Sequence, residues 1–385
     1  MRPRIAVAGS VAQRAGHGGH AWVFLQYLLG FRRLGYDVLF VDRLEPEMCV
    51  DESGDQCALE DSVNLRYLLN VLRTFGLEDS YSLLYDRGES AIGMPRTGVV
   101  DWVKQSALLL NVMGFLDDEE ILGQASRRAL LDIDPGFGQM WQASGLHELF
   151  RGHEHYVTIG ENIGRPDCTI PTCGIDWVST PQPVVLDEWP GMPTGGSNFT
   201  SVASWRGPFG PLEYQGSTYG LRVHEFRKFL DLPGRTGRMF EMALDMHEAD
   251  QPDREALQRA GWHLADPSAV AATPAAYRRF IQGSKAEFMV AKNMYVQARS
   301  GWVSDRSICY LASGKPVLAQ DCGIGHRYPT GEGLLTYTTP EEAAAGVEEI
   351  CGDYHRHARA ARDIAEAYFD SDKVLSRLLG ELSVT

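Results

Sequence analysis

The chain has 385 residues, 44% hydrophobic and 23% charged, with a formal net charge of −15. Its length suits two domains of ordinary size, each able to build a core. The acidic balance argues against nucleic acid or an anionic membrane as partner, because phosphate surfaces attract basic proteins. Residues 4–8 form a short apolar run that ends at Gly9-Ser10, and the Gly-rich loop Gly16-His17-Gly18-Gly19-His20 follows. Apolar periodicity predicts a helix over 21–34, with Arg32-Arg33 in its last turn and Gly35 as its stop. Residues 38–41 read as the next strand, which makes a β–loop–α–β unit. Its glycines lack the GxGxxG spacing of a dinucleotide fingerprint.

Further on, 62–75 is an amphipathic helix pattern and 82–85 a short strand. Residues 99–105 read as helix; 108–112, 129–133 and 155–159 read as buried strands. Strands alternating with helices imply a parallel sheet. Pro and Gly crowd residues 181–196, as in an interdomain linker. A second series then begins: strands at 199–203, 240–246 and 262–264, helices at 253–260 and 274–281, and a strand at 286–290. The seven aromatics from Trp177 to Tyr219 are expected to pack the domain interface.

The segment 301–325, GWVSDRSICYLASGKPVLAQDCGIG, carries the strongest functional pattern. Ser304, Asp305, Arg306 and Ser307 open a helix, Gly314-Lys315-Pro316 closes it, and a strand at 317–319 ends on Gln320-Asp321. A helix start offers free N–H groups and a favourable dipole to an anion, and a diphosphate suits it. Ligands of open α/β sheets also gather beyond the strand carboxyl ends, where Gln320 and Asp321 fall. A diphosphate beside a polar ligand points to a nucleotide-sugar.

This segment resembles the donor-binding region of the GT-B glycosyltransferases, in which a loop–helix feeds a GxP turn and a strand ending in a polar pair. Thr330-Gly331-Glu332-Gly333-Leu334-Leu335 resembles their GExGLL turn, and Thr339-Pro340-Glu341-Glu342-Ala343 their next helix start. Residues 358–382 resemble their closing helices, and Gly19-His20 followed by Gly35-Tyr36-Asp37-Val38 resembles enzymes of this fold that act on natural products, where that His is the general base. The chain departs from the pattern twice: the usual acidic residue of the donor helix falls at Cys309, and the His that often opens this helix falls at Gly301.

The resemblance implies an α/β protein of two Rossmann-like domains facing a central cleft, with a C-terminal helix crossing back. The expected boundaries are 1–190 for the acceptor domain, 198–365 for the donor domain and 366–385 for the crossing helix. His20 is the expected base, since a neutral imidazole at a helix start can deprotonate a sugar-acceptor hydroxyl. His17 is the other candidate and otherwise an acceptor ligand. Asp132, or Asp134 beside it, would orient the base or would simply cap the next helix. Glu161 would touch acceptor. Arg306 with Ser304, Asp305 and Ser307 would grip the diphosphate, and Lys292 and Arg206 would add charge. Gln320, Asp321 and Glu332 would meet the donor's sugar and ribose.

The expected activity is metal-independent transfer of a hexose from a TDP- or UDP-sugar, a substrate rather than a cofactor, to a small-molecule acceptor in natural-product biosynthesis. A nucleotide-sugar epimerase and a non-catalytic helper of the same shape are the alternatives. Seven scattered cysteines, no secretory pattern before Ile5 and no run of membrane-span length suggest a cytoplasmic chain with reduced thiols. Cys168-x4-Cys173 lacks the second pair of a zinc site. A homodimer is left open.

Overall fold

The structure is a computed structural model that describes residues 2–192, 196–207 and 209–384. Two sheets organise it. In the first lobe eight strands lie in the order 90–93, 81–85, 37–44, 4–9, 108–112, 128–132, 155–158, 177–179. All neighbours are parallel except the edge strand Ser90–Gly93, which pairs antiparallel with Tyr81–Tyr85. In the second lobe six parallel strands lie in the order 263–265, 240–245, 199–204, 286–289, 317–320, 334–337. Both orders reverse direction once. The reversal falls beside Arg4–Gly9 in the first sheet and between Phe199–Ser204 and Ala286–Met289 in the second, and such points open crevices for ligands.

The central strands read as continuous apolar runs because helices cover both faces; Ile5, Ala6, Val7 and Ala8 are all fully buried. The helix Gly18–Arg33 starts three residues earlier than the periodicity suggests, so Gly18, Gly19 and His20 form its first turn. Several elements left no sequence pattern because they are short. These include the edge strands Ser90–Gly93 and Trp177–Ser179, the hairpin Leu212–Tyr214 with Ser217–Tyr219, and the helices Arg222–Phe226 and Asn293–Ala298.

The last helix, Ser371–Glu381, lies on the first lobe's helix Gly18–Arg33. A Cβ at Gly30 would come within 2.4 Å of Leu375 Cδ1, so this position must stay bare for the helices to approach. Arg33 pairs with Asp372 at 3.0 Å, and Val184 exchanges backbone hydrogen bonds with Phe369 and Ser371. The Pro-rich stretch is therefore anchored at 184; residues 193–195 of it lie outside the described residues.

One apolar cluster runs through both lobes and joins Trp22, Trp189, Tyr277 and Phe369. Trp22 Nε1 donates to the Pro274 carbonyl across the seam at 2.9 Å. The seven cysteines are free thiols, and no helix among the described residues is long and apolar enough to cross a membrane.

Candidate active site

The helix start at 304–307 forms as expected, but its cation turns inward. Helix Asp305–Ala312 is capped by Ser304, whose Oγ accepts from the Arg306 N–H at 3.2 Å. The Arg306 guanidinium pairs with Glu287 on the central strand Ala286–Met289, and its Nη1 donates to the Val202 carbonyl at 2.6 Å. Both side chains are buried, and burial alone would lower the Arg306 pKa; Glu287 first, with Tyr277 and Asp305 adding to it, outweighs burial and holds the pKa above the ordinary value. Ser304 and Ser307 are also buried, and Asp305 is half-buried in a slot with Trp22, Gln26 and Tyr277. Arg306 is thus a correction as to its charge, which a carboxylate inside an apolar strand claims from the helix start, while its Nη2 and Ser307 Oγ stay buried with no hydrogen-bond partner among the described residues. Glu287 itself, a lone acid in Ala286-Glu-Phe-Met-Val290, was the overlooked signal.

A different arginine occupies the reversal point of the second sheet. Arg222 Nε donates to the Val290 carbonyl at 2.9 Å and its Nη1 to the Ser204 carbonyl at 2.7 Å, so it bridges the carboxyl ends of the two central strands. It is 7% exposed and has no carboxylate in ion-pair range among the described residues. Burial first, and then the nearby Arg306, lower its pKa to about 10, so it stays charged at neutral pH. Nothing local in Gly220-Leu-Arg-Val-His224 marks it; its place is set by strand order.

Lys292 lies beside it, at the start of helix Asn293–Ala298. Its ammonium pairs with Asp134 of the first lobe at 2.5 Å and stands 5.3 Å from the ring centres of Phe137 and Tyr295. Gly207, with φ +90°, passes over it, and a Cβ there would lie 3.8 Å from Lys292 Cε. Arg222 and Lys292 therefore place two cations at the crevice predicted for a ligand.

The other donor-side candidates are engaged elsewhere. Arg206 forks onto the buried Asp250 at 2.5 Å. Gln320 donates to Glu225 at 2.5 Å and accepts from the Ala291 N–H at 3.2 Å, which fixes the turn leading to Lys292. Asp321 accepts from the Gly323 and Ile324 N–H groups at 2.9 and 3.2 Å and lies 3.7 Å from Arg299. Glu332 pairs with Arg356 at an exposed site just before strand Leu334–Tyr337. That is the amino-terminal rim of a parallel sheet, away from the cleft, so Glu332 is a second correction.

In the first lobe, His20 sits at that sheet's reversal point. Its Nε2 lies 3.2 Å from the Ser10 carbonyl and 3.0 Å from the Ser10 hydroxyl, directly beyond strand Arg4–Gly9. Nδ1 has no hydrogen-bond partner among the described residues. The Ser10 carbonyl orients this ring; Asp132 does not. Asp132 accepts from Gln139 at 2.6 Å, Thr158 at 3.0 Å and the Asp134 N–H at 3.1 Å, and burial raises its pKa to about 6. Its expected role as partner of His20 is corrected accordingly. His17 is exposed at the helix N-cap, with Nδ1 3.1 Å from the Ala15 carbonyl. Glu161 accepts from Tyr328 and is pushed up in pKa by burial, so it joins the lobes rather than facing an open pocket.

Burial first, with Arg14 and His17 adding to it, lowers the His20 pKa from 6.5 to about 4. An unfolded His20 takes up a proton near pH 6.5, the folded one only near pH 4. The native state is therefore penalised as pH falls through this window and unaffected above it. His20→Gln should lose less melting temperature between pH 7 and pH 5 than the native protein, read by thermal unfolding. An unchanged loss would show that the folded ring protonates freely.

The seam explains both departures from the resemblance. Asn162, fully buried, donates to the Arg299 and Gly323 carbonyls at 3.0 and 3.1 Å. A Cβ at Gly301, where φ is +72°, would meet Asn162 atoms at 2.7–2.9 Å. Position 309 is equally confined: the buried Cys309 Sγ accepts from Gln26 of the first lobe at 3.9 Å. A recess of about 650 Å3 opens elsewhere, lined by residues including Arg43, Glu45, Arg87, Arg96, Asp117 and Leu116. Phe115, next to Leu116, lies against Phe24, whose ring meets His20 edge-on.

No family model and no curated protein matches the sequence. Among solved structures, an alpha-glucosyltransferase in complex with UDP-glucose and DNA containing an abasic site has a TM-score of 0.61 at 10% identity, over 99% of both chains. AviGT4, a glycosyltransferase involved in avilamycin A biosynthesis, has a TM-score of 0.57 at 11% identity, over 99% of this chain and 97% of its own. HepE of Anabaena, in complex with UDP and glucose, has a TM-score of 0.56 at 13% identity over the whole of both chains. What is shared at such identities is the architecture, and this chain has the GT-B fold of these glycosyltransferases.

Proposed function

We propose that the protein transfers a sugar from a nucleoside diphosphate sugar, uridine or thymidine in type, to a small polar acceptor. One observation carries this reading: Arg222 is buried, charged and without an acid partner among the described residues at the reversal point of the second sheet, beside Lys292. A guanidinium in such a place is best neutralised by an anion that arrives with the ligand. In the reaction the bond between the anomeric carbon and the phosphate oxygen breaks, and the electron pair leaves with the diphosphate. Arg222 and Lys292 stabilise that charge where it develops.

The acceptor hydroxyl attacks from the first lobe. With the ring proton on Nε2 donated to the Ser10 carbonyl, Nδ1 of His20 is left to receive the acceptor's proton. The low pKa keeps His20 unprotonated, and a diphosphate entering the cleft raises its proton affinity when it is needed. The recess at 43–120 supplies a surface of mixed charge for an acceptor. A net charge of −15 favours a small acceptor over nucleic acid, although one similar structure holds DNA.

The test is calorimetry with uridine, thymidine, guanosine and adenosine diphosphates, followed by turnover with the matching sugar. Binding of one nucleotide and its release on adding acceptor support transfer. Isomerised donor without acceptor would mark an epimerase, and silence towards all four nucleotides would mark a non-catalytic helper. His20→Ala should keep nucleotide binding and lose transfer; full turnover would reject it as the base, and product stereochemistry decides between inversion and retention.

A further inference from the structure

The carboxylate that holds Lys292 comes from the opposite lobe, and its surroundings are those of a bound phosphate. Asp134 Oδ2 lies 2.5 Å from the Lys292 ammonium, and its Oδ1 accepts from the Tyr295 hydroxyl. Both donors belong to the helix that starts immediately beyond strand Ala286–Met289. Arg222 is coupled electrostatically to Asp134 and Tyr295, and Asp132 is the second carboxyl group coupled to both. One anion is thus set among the second lobe's cations, and the first lobe supplies it.

The first lobe presents that anion rigidly. The Asp134 N–H donates to Asp132, which Gln139 and Thr158 hold in turn. Gly136, with φ +111°, presses the loop onto Met294, where a Cβ would come within 2.7 Å of the sulfur. Asp132 therefore acts as a positioning residue for Asp134. Elsewhere the seam is joined by contacts that involve neither Arg222 nor Lys292: Asn162 with the carbonyls of Arg299 and Gly323, Glu161 with Tyr328, and Asp167 with His326 at 2.7 Å.

We propose that Asp134 is a built-in competitor of the donor's diphosphate: it occupies Lys292 and Tyr295, ties the lobes together through them, and is displaced when the donor binds. This rests on the reading of Arg222 and Lys292 as diphosphate ligands. Each population held by Asp134 is unavailable to donor, so apparent affinity falls by the fraction of free sites. In exchange, donor arrival frees a carboxylate on the acceptor lobe and loosens the seam at one defined point. Removing Asp134 leaves a buried ammonium in need of an anion, which strengthens its hold on any phosphate that enters.

The experiment is calorimetry of the full chain with UDP and with inorganic pyrophosphate, together with amide exchange across residues 290–303, on the native protein, Asp134→Asn and Tyr295→Phe. Asp134→Asn keeps the side chain's shape. It should bind both ligands about 10-fold more tightly and exchange faster at 290–303 before ligand is added. Tyr295→Phe should shift both readouts the same way by a smaller factor. Equal or weaker binding by Asp134→Asn overturns the proposal and leaves Asp134 as a residue that merely orients Lys292. Unchanged exchange at 290–303 overturns it independently of any ligand. If neither protein binds either ligand, the donor-site reading fails, and the competitor role falls with it.

Discussion

Arg222→Met is expected to weaken UDP binding by about 10²–10³-fold, the loss of two charge-assisted hydrogen bonds from a desolvated site. Methionine fills much of the volume, and the two carbonyls it abandons, on Ser204 and Val290, lie at strand ends, where the shorter side chain leaves room for water to replace the donor. The folded protein should therefore persist, with unfolding temperature close to native in buffer. The difference appears only with ligand. A nucleotide that binds the native state alone raises the melting temperature by mass action, and this rise should vanish in the variant. Arg222→Lys keeps a charge but cannot span both strand ends and reach a phosphate as a fork does, so it should recover only part of the affinity. UDP binding by Arg222→Met at native strength would remove the observation on which the functional reading stands.

The architecture was legible because it is written in long, repeated signals. Apolar runs at 4–8, 38–41 and 108–112, each followed by a helical period, specify a parallel sheet, and the punctuation near 181–196 separates two such series. The position of His20 was also legible, since a helix that follows the first strand through a Gly-rich loop must start at the strand's carboxyl end. What was not legible is which cation faces the cleft. Arg306 sits in the most pattern-rich segment of the chain and Arg222 in an unmarked one, yet the fate of each is decided by partners elsewhere in the chain. Glu287 lies under one of them; among the described residues, only backbone carbonyls accept from the other.

The two departures from the family pattern have a common cause that no local reading could supply. Gly301 and Cys309 stand where a His and an acid are usual, and both lie against the first lobe, one under Asn162 and the other beside Gln26. A larger residue at 301 would need a left-handed backbone and would strike Asn162. The seam thus selects small residues at 301 and 309, and Asn162, Gly301 and Gly323 form one fitted unit. The acid at 161 follows the same logic: it looks like an acceptor ligand in sequence, yet Tyr328 from the other lobe claims it.

Arg306→Met is expected to lower stability by about 3–5 kcal/mol, the cost of stranding a buried carboxylate. Glu287 is 0% exposed, its Oε1 accepts from Arg306, its Oε2 has no hydrogen-bond partner among the described residues, and Arg306 is its only ion-pair partner there. The consequence separates a structural role from a ligand role through a second change. In Glu287→Leu with Arg306→Met, both charges go and the volume stays, so most of the lost stability should return; buried pairs replaced by apolar groups are often neutral or better. Denaturant unfolding of the two variants measures this. Calorimetry completes the test, because the paired variant retains Arg222 and Lys292 and should bind UDP within a few-fold of native strength. A paired variant that recovers its stability but no longer binds nucleotide would return Arg306 to the donor site and make Glu287 the group that aims it.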